Sequence, residues 1–146
     1  MIVSSHIVSA HARDEQSPAS TAVPVTLREE SGRHQLLRGG GPYQIRGAGV
    51  ADPAGIAAFA AHGGNSFRTW RTGSEYLDEA EKYGLTVALC IELGTERQGF
   101  DYDDDEAVAR QLNFARAEVT RYKDHPVLLL WTWKRGPSQY PVLSWH

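Results

Sequence analysis

Two short runs constrain this chain more than anything else in it. They are Leu85-Thr86-Val87-Ala88-Leu89-Cys90-Ile91 and Val127-Leu128-Leu129-Leu130-Trp131. Neither carries a charge, and neither alternates apolar with polar residues. A strand with one wet face alternates; a strand that is apolar throughout is covered on both faces, as in parallel sheets flanked by helices.

The segments around these runs supply the helices. Asp52-Pro53 is a cap followed by a proline suited to the first helical position, and it opens a helix carrying Ile56, Phe59 and Ala60 that Gly63 ends. Residues 75–83 place Tyr76, Leu77 and Ala80 on one helical face, with Gly84 as the C-cap. Asp103 and Glu106 have the spacing of a capping pair for a third helix. That helix carries Val108, Leu112, Ala115 and Val119 and stops near Tyr122. Residues 43–50, after the Arg38-Gly39-Gly40-Gly41-Pro42 turn, and residues 65–71 read as the two earlier strands. Residues 23–29 alternate and read as a further short strand. The order strand, helix, strand, helix, strand, helix, strand predicts an α/β fold with about four parallel strands, ordered along the sheet as in the chain. The pattern alone does not separate a barrel from an open sheet.

Composition narrows the function classes. At 146 residues the chain makes one domain, short of the roughly 250 that a complete eight-stranded α/β barrel takes. Fifteen basic residues against 18 acidic ones give no electrostatic case for nucleic acid or an anionic membrane, and no apolar run is long enough to span a bilayer. Gly39-Gly40-Gly41 precedes its strand, the wrong side for a dinucleotide site. The acidic run 101–106 lacks the glycine and terminal glutamate of a calcium loop and reads as a loop and helix start. No metal or other cofactor is expected. Cys90, the single cysteine, sits in an apolar run and reads as a small core residue. His125, before Pro126, reads as shaping the turn into the last strand. Residues 1–22 read as a disordered tail, a linker or the remnant of a signal. Ala10-His11-Ala12 has the small-residue spacing of a cleavage site, but a basic start and a continuous apolar stretch are missing. A clipped signal would make the protein secreted or periplasmic; the residues leave localisation open.

Three motifs in register carry a family likeness. They are Gly64-Asn65-Ser66-Phe67-Arg68-Thr69-Trp70, then Leu77-Asp78-Glu79-Ala80-Glu81-Lys82-Tyr83-Gly84-Leu85-Thr86-Val87, then Arg121-Tyr122-Lys123-Asp124-His125-Pro126 leading into residues 127–131. With Pro42-Tyr43-Gln44-Ile45-Arg46-Gly47 upstream, residues 36–131 resemble the front half of the catalytic barrel of clan A glycoside hydrolases, especially families two and five. The resemblance implies a partial (β/α)₈ barrel and a parent reaction on the O-glycosidic bonds of β-linked carbohydrates, with retention through two carboxylates about 5–5.5 Å apart. It implies that Arg68, at the end of the second barrel strand, positions the nucleophile carboxylate through charge-assisted hydrogen bonds. Trp70 and Glu92 are the further candidate substrate contacts: an aromatic face for a sugar ring, and a carboxylate following the third barrel strand. Glu96 shares that position beyond the strand.

The likeness breaks after Trp131. The family places its acid/base in Gly-Asn-Glu two residues beyond that tryptophan; this chain reads Thr132-Trp133-Lys134-Arg135-Gly136, and no Asp or Glu occurs in residues 127–146. If Lys134 is AAA and Arg135 is CGA, the codons from Trp133 spell TGG AAA CGA GG. Read one base later they spell GGA AAC GAG, which is Gly-Asn-Glu. Four bases then separate the Trp131 codon from this motif where six are needed, so two bases are missing.

The expected organisation is a tail over 1–22, half a glycosidase barrel over 23–131 and an out-of-frame segment over 132–146. Such a chain retains Arg68 but neither catalytic carboxylate, so it is expected to be inactive. The expected partners are carbohydrate, through the parent family, and further copies of the chain through unpaired strand edges. Two alternatives stay open: a non-catalytic carbohydrate-binding module using Arg68, Trp70 and Trp131, and a stand-alone small α/β domain.

Overall fold

A computed structural model of the protein describes residues 22–135. It opens with an antiparallel β-hairpin of β1 (Val25–Glu30) and β2 (Arg33–Arg38), extended by β3 (Gly41–Pro42). The parallel sheet follows: β4 (Gly47–Gly49), β5 (Ser66–Arg68), β6 (Thr86–Leu93) and β7 (Leu128–Arg135). These four lie in chain order, every pair parallel. Between them run α1 (Ile56–Ala61), α2 (Ser74–Lys82) and α3 (Asp105–Tyr122). The architecture is α/β, a four-stranded parallel sheet with intervening helices, consistent with part of an α/β barrel.

Local chemistry accounts for the element ends. Asp52 accepts from the Ala54 N–H at 3.0 Å and opens a short 3₁₀ turn (Pro53–Gly55) that leads into α1. Gly84, at φ +65°, follows α2 in the left-handed conformation that a glycine adopts without steric cost. The Ser31-Gly32 turn has φ of +53° and +74°, the paired positive values of a two-residue hairpin turn whose twist matches the flanking strands.

Side chains alternate across the parallel sheet. Phe67, Val87 and Leu89 face the helices and meet Ile56, Tyr76, Leu77, Ala80 and Val127 in one core. Ser66, Thr86 and Ala88 occupy the other face. At the N-terminal end, the Tyr43 hydroxyl lies 3.0 Å from Ser66 Oγ and 3.1 Å from Thr86 Oγ1, which are 2.8 Å apart. Arg38 of the hairpin donates to the Pro126 carbonyl at 2.7 Å, so β1–β3 are tied to the turn that enters β7.

Several expectations shift. The strands read at 43–50 and 65–71 are shorter as ladders, because residues on either side turn to side-chain and loop hydrogen bonds. Asn65, for example, accepts from the Arg46 N–H at 2.7 Å and donates to the Gln44 carbonyl at 2.8 Å. The strand read at 127–131 continues to Arg135, since β6 runs to Leu93 and offers a partner for every added residue. The cap of α3 is Asp104, which accepts from Ala107 N–H at 3.0 Å, not Asp103. Leu112, read as core-facing, is 50% exposed; α3 buries only Tyr122 fully. The hairpin strands β2 and β3 were not anticipated. The readings for 1–21 and 136–146, including Gly136, lie outside the described residues, as do the Lys134 and Arg135 side chains.

Candidate functional site

Arg68 is the last residue of β5, at the C-terminal end of the sheet where α/β barrels carry their chemistry. Its register partners are Gly49 on β4 and Ala88 on β6, both without bulk, and its own side chain is exposed. The ladder is continued past it: the Val50 N–H donates to the Arg68 carbonyl at 2.9 Å and the Thr69 N–H to the Ala88 carbonyl at 3.1 Å. Thr69, fully buried, then accepts from the Cys90 N–H through its hydroxyl at 2.9 Å. The backbone that presents Arg68 is therefore fixed on both sides.

Trp70, 37% exposed, folds back over the sheet beside Arg68. The Arg68 guanidinium carbon is 5.6 Å from the indole centroid, within cation–π range. The ring lies across Gly49, where a methyl group would overlap it. This is the reason a glycine stands there. Together they border an open concavity of about 610 Å³ lined by Arg68, Trp70, Gly47, Gly49, Ala88 and Leu129. None of these six is a carboxylate. A cation beside an aromatic ring in an open hollow can hold a ligand; among the described residues that line it there is no carboxylate to transfer a proton.

The other candidates are spread apart. Glu92 is exposed on β6, four residues past Ala88, the register partner of Arg68. That is about 13 Å along the strand. Glu96 opens a short 3₁₀ turn (Glu96–Gln98) beyond it. Trp131 pairs with Leu89 and packs against the core on the helix side, so it does not border the concavity. The binding-module alternative therefore loses one of its three residues. Trp133 pairs with Ile91 and is 65% exposed. His125 sits in the turn before β7, its amide bonded to the Tyr122 carbonyl and its carbonyl to the Leu128 amide. Asp101 accepts from the Asp103 N–H at 2.9 Å, a turn role beside the Asp104 cap. Cys90 is buried.

The small residues at the end of the first parallel strand, Gly49 among them, suggest a close approach, but the sequence names no partner for Gly49 and gives no role to Thr69. A glycine at the end of a strand and a threonine inside a motif show their roles only once Trp70 and Cys90 have positions.

The described fold has solved counterparts. It is similar to the exo-chitosanase CsxA of Amycolatopsis orientalis, with a TM-score of 0.54 and 21% identity over 75% of this chain. A second structure, of the exo-β-D-glucosaminidase CsxA studied with inhibitors, matches with a TM-score of 0.55 and 22% identity, also over 75% of this chain. The chain spans about 15% of the length of each. No family model matches the chain, and no curated protein is significantly similar to it. At this identity the likeness is one of fold: part of an α/β architecture found in glycoside-cleaving enzymes.

Proposed function

We propose that this chain is the N-terminal half of a retaining glycoside hydrolase barrel, interrupted by a shift of reading frame after Trp131, and that as written it does not cleave glycosides. The parent reaction is hydrolysis or transfer at the O-glycosidic bond of a β-linked carbohydrate. The observation that carries the reading is Arg68: a cation at the C-terminal end of the second parallel strand, beside Trp70, in a hollow with no carboxylate among the six residues named above. In a retaining barrel that position holds the nucleophile carboxylate ionised and oriented. The fold likeness to two glycosidase structures supports it, as do the three sequence motifs in register.

Loss of function follows from chemistry. A general acid is worth roughly 10²–10⁴-fold, and without a nucleophile no glycosyl-enzyme forms. The test is turnover of aryl β-glycosides by the purified chain and by a version with two bases restored between Trp131 and the shifted motif. The reading expects none from the first. Activity in the present chain that Arg68→Ala abolishes would mean that its catalytic groups are elsewhere. A second reading, a carbohydrate-binding module, is favoured by the pairing of Arg68 with Trp70, and is compatible with an inactive chain.

A further inference from the structure

We infer that two copies of this chain close one eight-stranded parallel barrel, β7 of each copy pairing with β4 of the other about a two-fold axis along the barrel. This rests on reading the sheet as half a barrel, and not on the shifted frame.

The first ground is the pair of edges. The Asn65 N–H on the β5 side donates to the Arg46 carbonyl at 3.0 Å, and the Val50 N–H donates to the Arg68 carbonyl at 2.9 Å. Backbone groups alternate along a strand in a parallel ladder, so Gly47 and Gly49 turn theirs to the open side. β4 is exposed throughout and carries no charge, proline or bulge, the devices that keep an edge from pairing. Residues 128–133 of β7 carry no charge either. Neither edge repels the other.

The second ground is direction and curvature. The four strands are parallel and lie in chain order, so β7 of one copy beside β4 of the next continues both patterns. Phe67, Val87 and Leu89 are covered in the core, whereas no helix residue lines the hollow on the other face. A parallel sheet covered on one face protects the second by curling onto itself, and its twist supplies the curl. A second copy completes the turn. Head-to-tail pairing that closes makes a ring; pairing that does not makes a filament.

The third ground is the stagger. An eight-stranded α/β barrel has a shear of about eight residues, so two-fold symmetry shifts each seam by about four. The right-handed tilt of the strands carries the incoming β4 toward the C-terminal end of β7. Within one copy Gly49, Arg68, Ala88 and Leu130 share a level, and there β4 stops while β7 runs on to Arg135. The partner copy's β4 falls beside this overhang, with its Ala48 near Trp133. Both side chains belong to the helix side of the sheet, Ala48 paired with Phe67 and Trp133 with Ile91. The seam then covers Trp133, which is 65% exposed in the single chain.

The experiment is sedimentation of the full chain over a wide concentration range. The expected mass rises reversibly to twice that of the monomer and stays there. Ala48→Lys on β4 and Trp133→Glu on β7 should each weaken association at least about tenfold, since each places a lone charge in the seam. An equimolar mixture of the two variants should recover the dimer, with one Lys–Glu seam and one unmodified seam. That recovery also certifies that both variants are folded. A monomer at every concentration overturns the inference. A mass that grows past the dimer overturns closure in favour of an open stack. Weakening by Trp133→Glu but not by Ala48→Lys overturns it in favour of antiparallel pairing of two β7 edges. A nucleotide sequence without the shifted motif would remove the frameshift and leave the dimer standing.

Discussion

At the scale of single residues, the candidate site depends on groups that hold Arg68 and Trp70 in place. Thr69 is the sharpest case. Its buried hydroxyl is the acceptor for the Cys90 amide, so Thr69→Val keeps the shape and orphans that N–H. The expected cost is about 1–3 kcal/mol in denaturant unfolding; an unchanged midpoint would mean that the amide finds another partner. Arg68→Ala should stay within about 0.5 kcal/mol, because the side chain is exposed and unpaired among the described residues. Gly49→Ala should displace the indole it would overlap, altering tryptophan fluorescence without unfolding the chain. A wild-type emission spectrum in that variant would contradict the placement of Trp70. The place of Arg68 at the end of its strand was legible because its motif stood in register with two others. Gly49 and Thr69 were not, since their roles are set by partners 21 residues away in each case: Trp70 for Gly49 and Cys90 for Thr69.

At the scale of elements, the strongest periodicities survived intact. Tyr76, Leu77 and Ala80 are all fully buried on α2, and residues 85–91 fall largely within β6. What failed did so for local reasons. Two aspartates in succession, Asp103 and Asp104, offer the same cap chemistry, and the sequence does not say which one the chain turns at. Leu112 fits the apolar stripe of α3, yet a stripe is buried only where something covers it. β2 reads Arg-His-Gln-Leu-Leu-Arg, without alternation, and is a strand because the Ser31-Gly32 turn folds it onto β1. That dipeptide was the available signal. Phe67 is the test of the sheet–helix layer. It is 1% exposed at the centre of the core, and Phe67→Ala should cost about 3–5 kcal/mol by urea unfolding. A loss below about 1 kcal/mol would mean that the helices do not pack on β5 as described.

At the scale of the whole molecule, the parallel sheet is open on both sides among the described residues. β4 and β7 each have one neighbour among the described residues, so each presents unpaired backbone donors and acceptors. Leu130 and Trp133, at 36% and 65% exposure, lie on the β7 side. Closure of a barrel removes such edges; four strands cannot close. The purified chain should therefore associate, eluting broadly and above monomer mass in size-exclusion chromatography with light scattering. A sharp monomer peak with cooperative unfolding would favour a self-sufficient small domain instead.

The proposed half of a glycosidase barrel, with its acid/base motif shifted out of frame, is decided by the nucleotide sequence from the Trp131 codon onward. Lys134 is expected to be encoded by AAA and Arg135 by CGA, so that the next frame spells Gly-Asn-Glu and then continues into further strand–helix units. An AAG codon for Lys134, or any other codon for Arg135, would break the motif and rule out the frameshift.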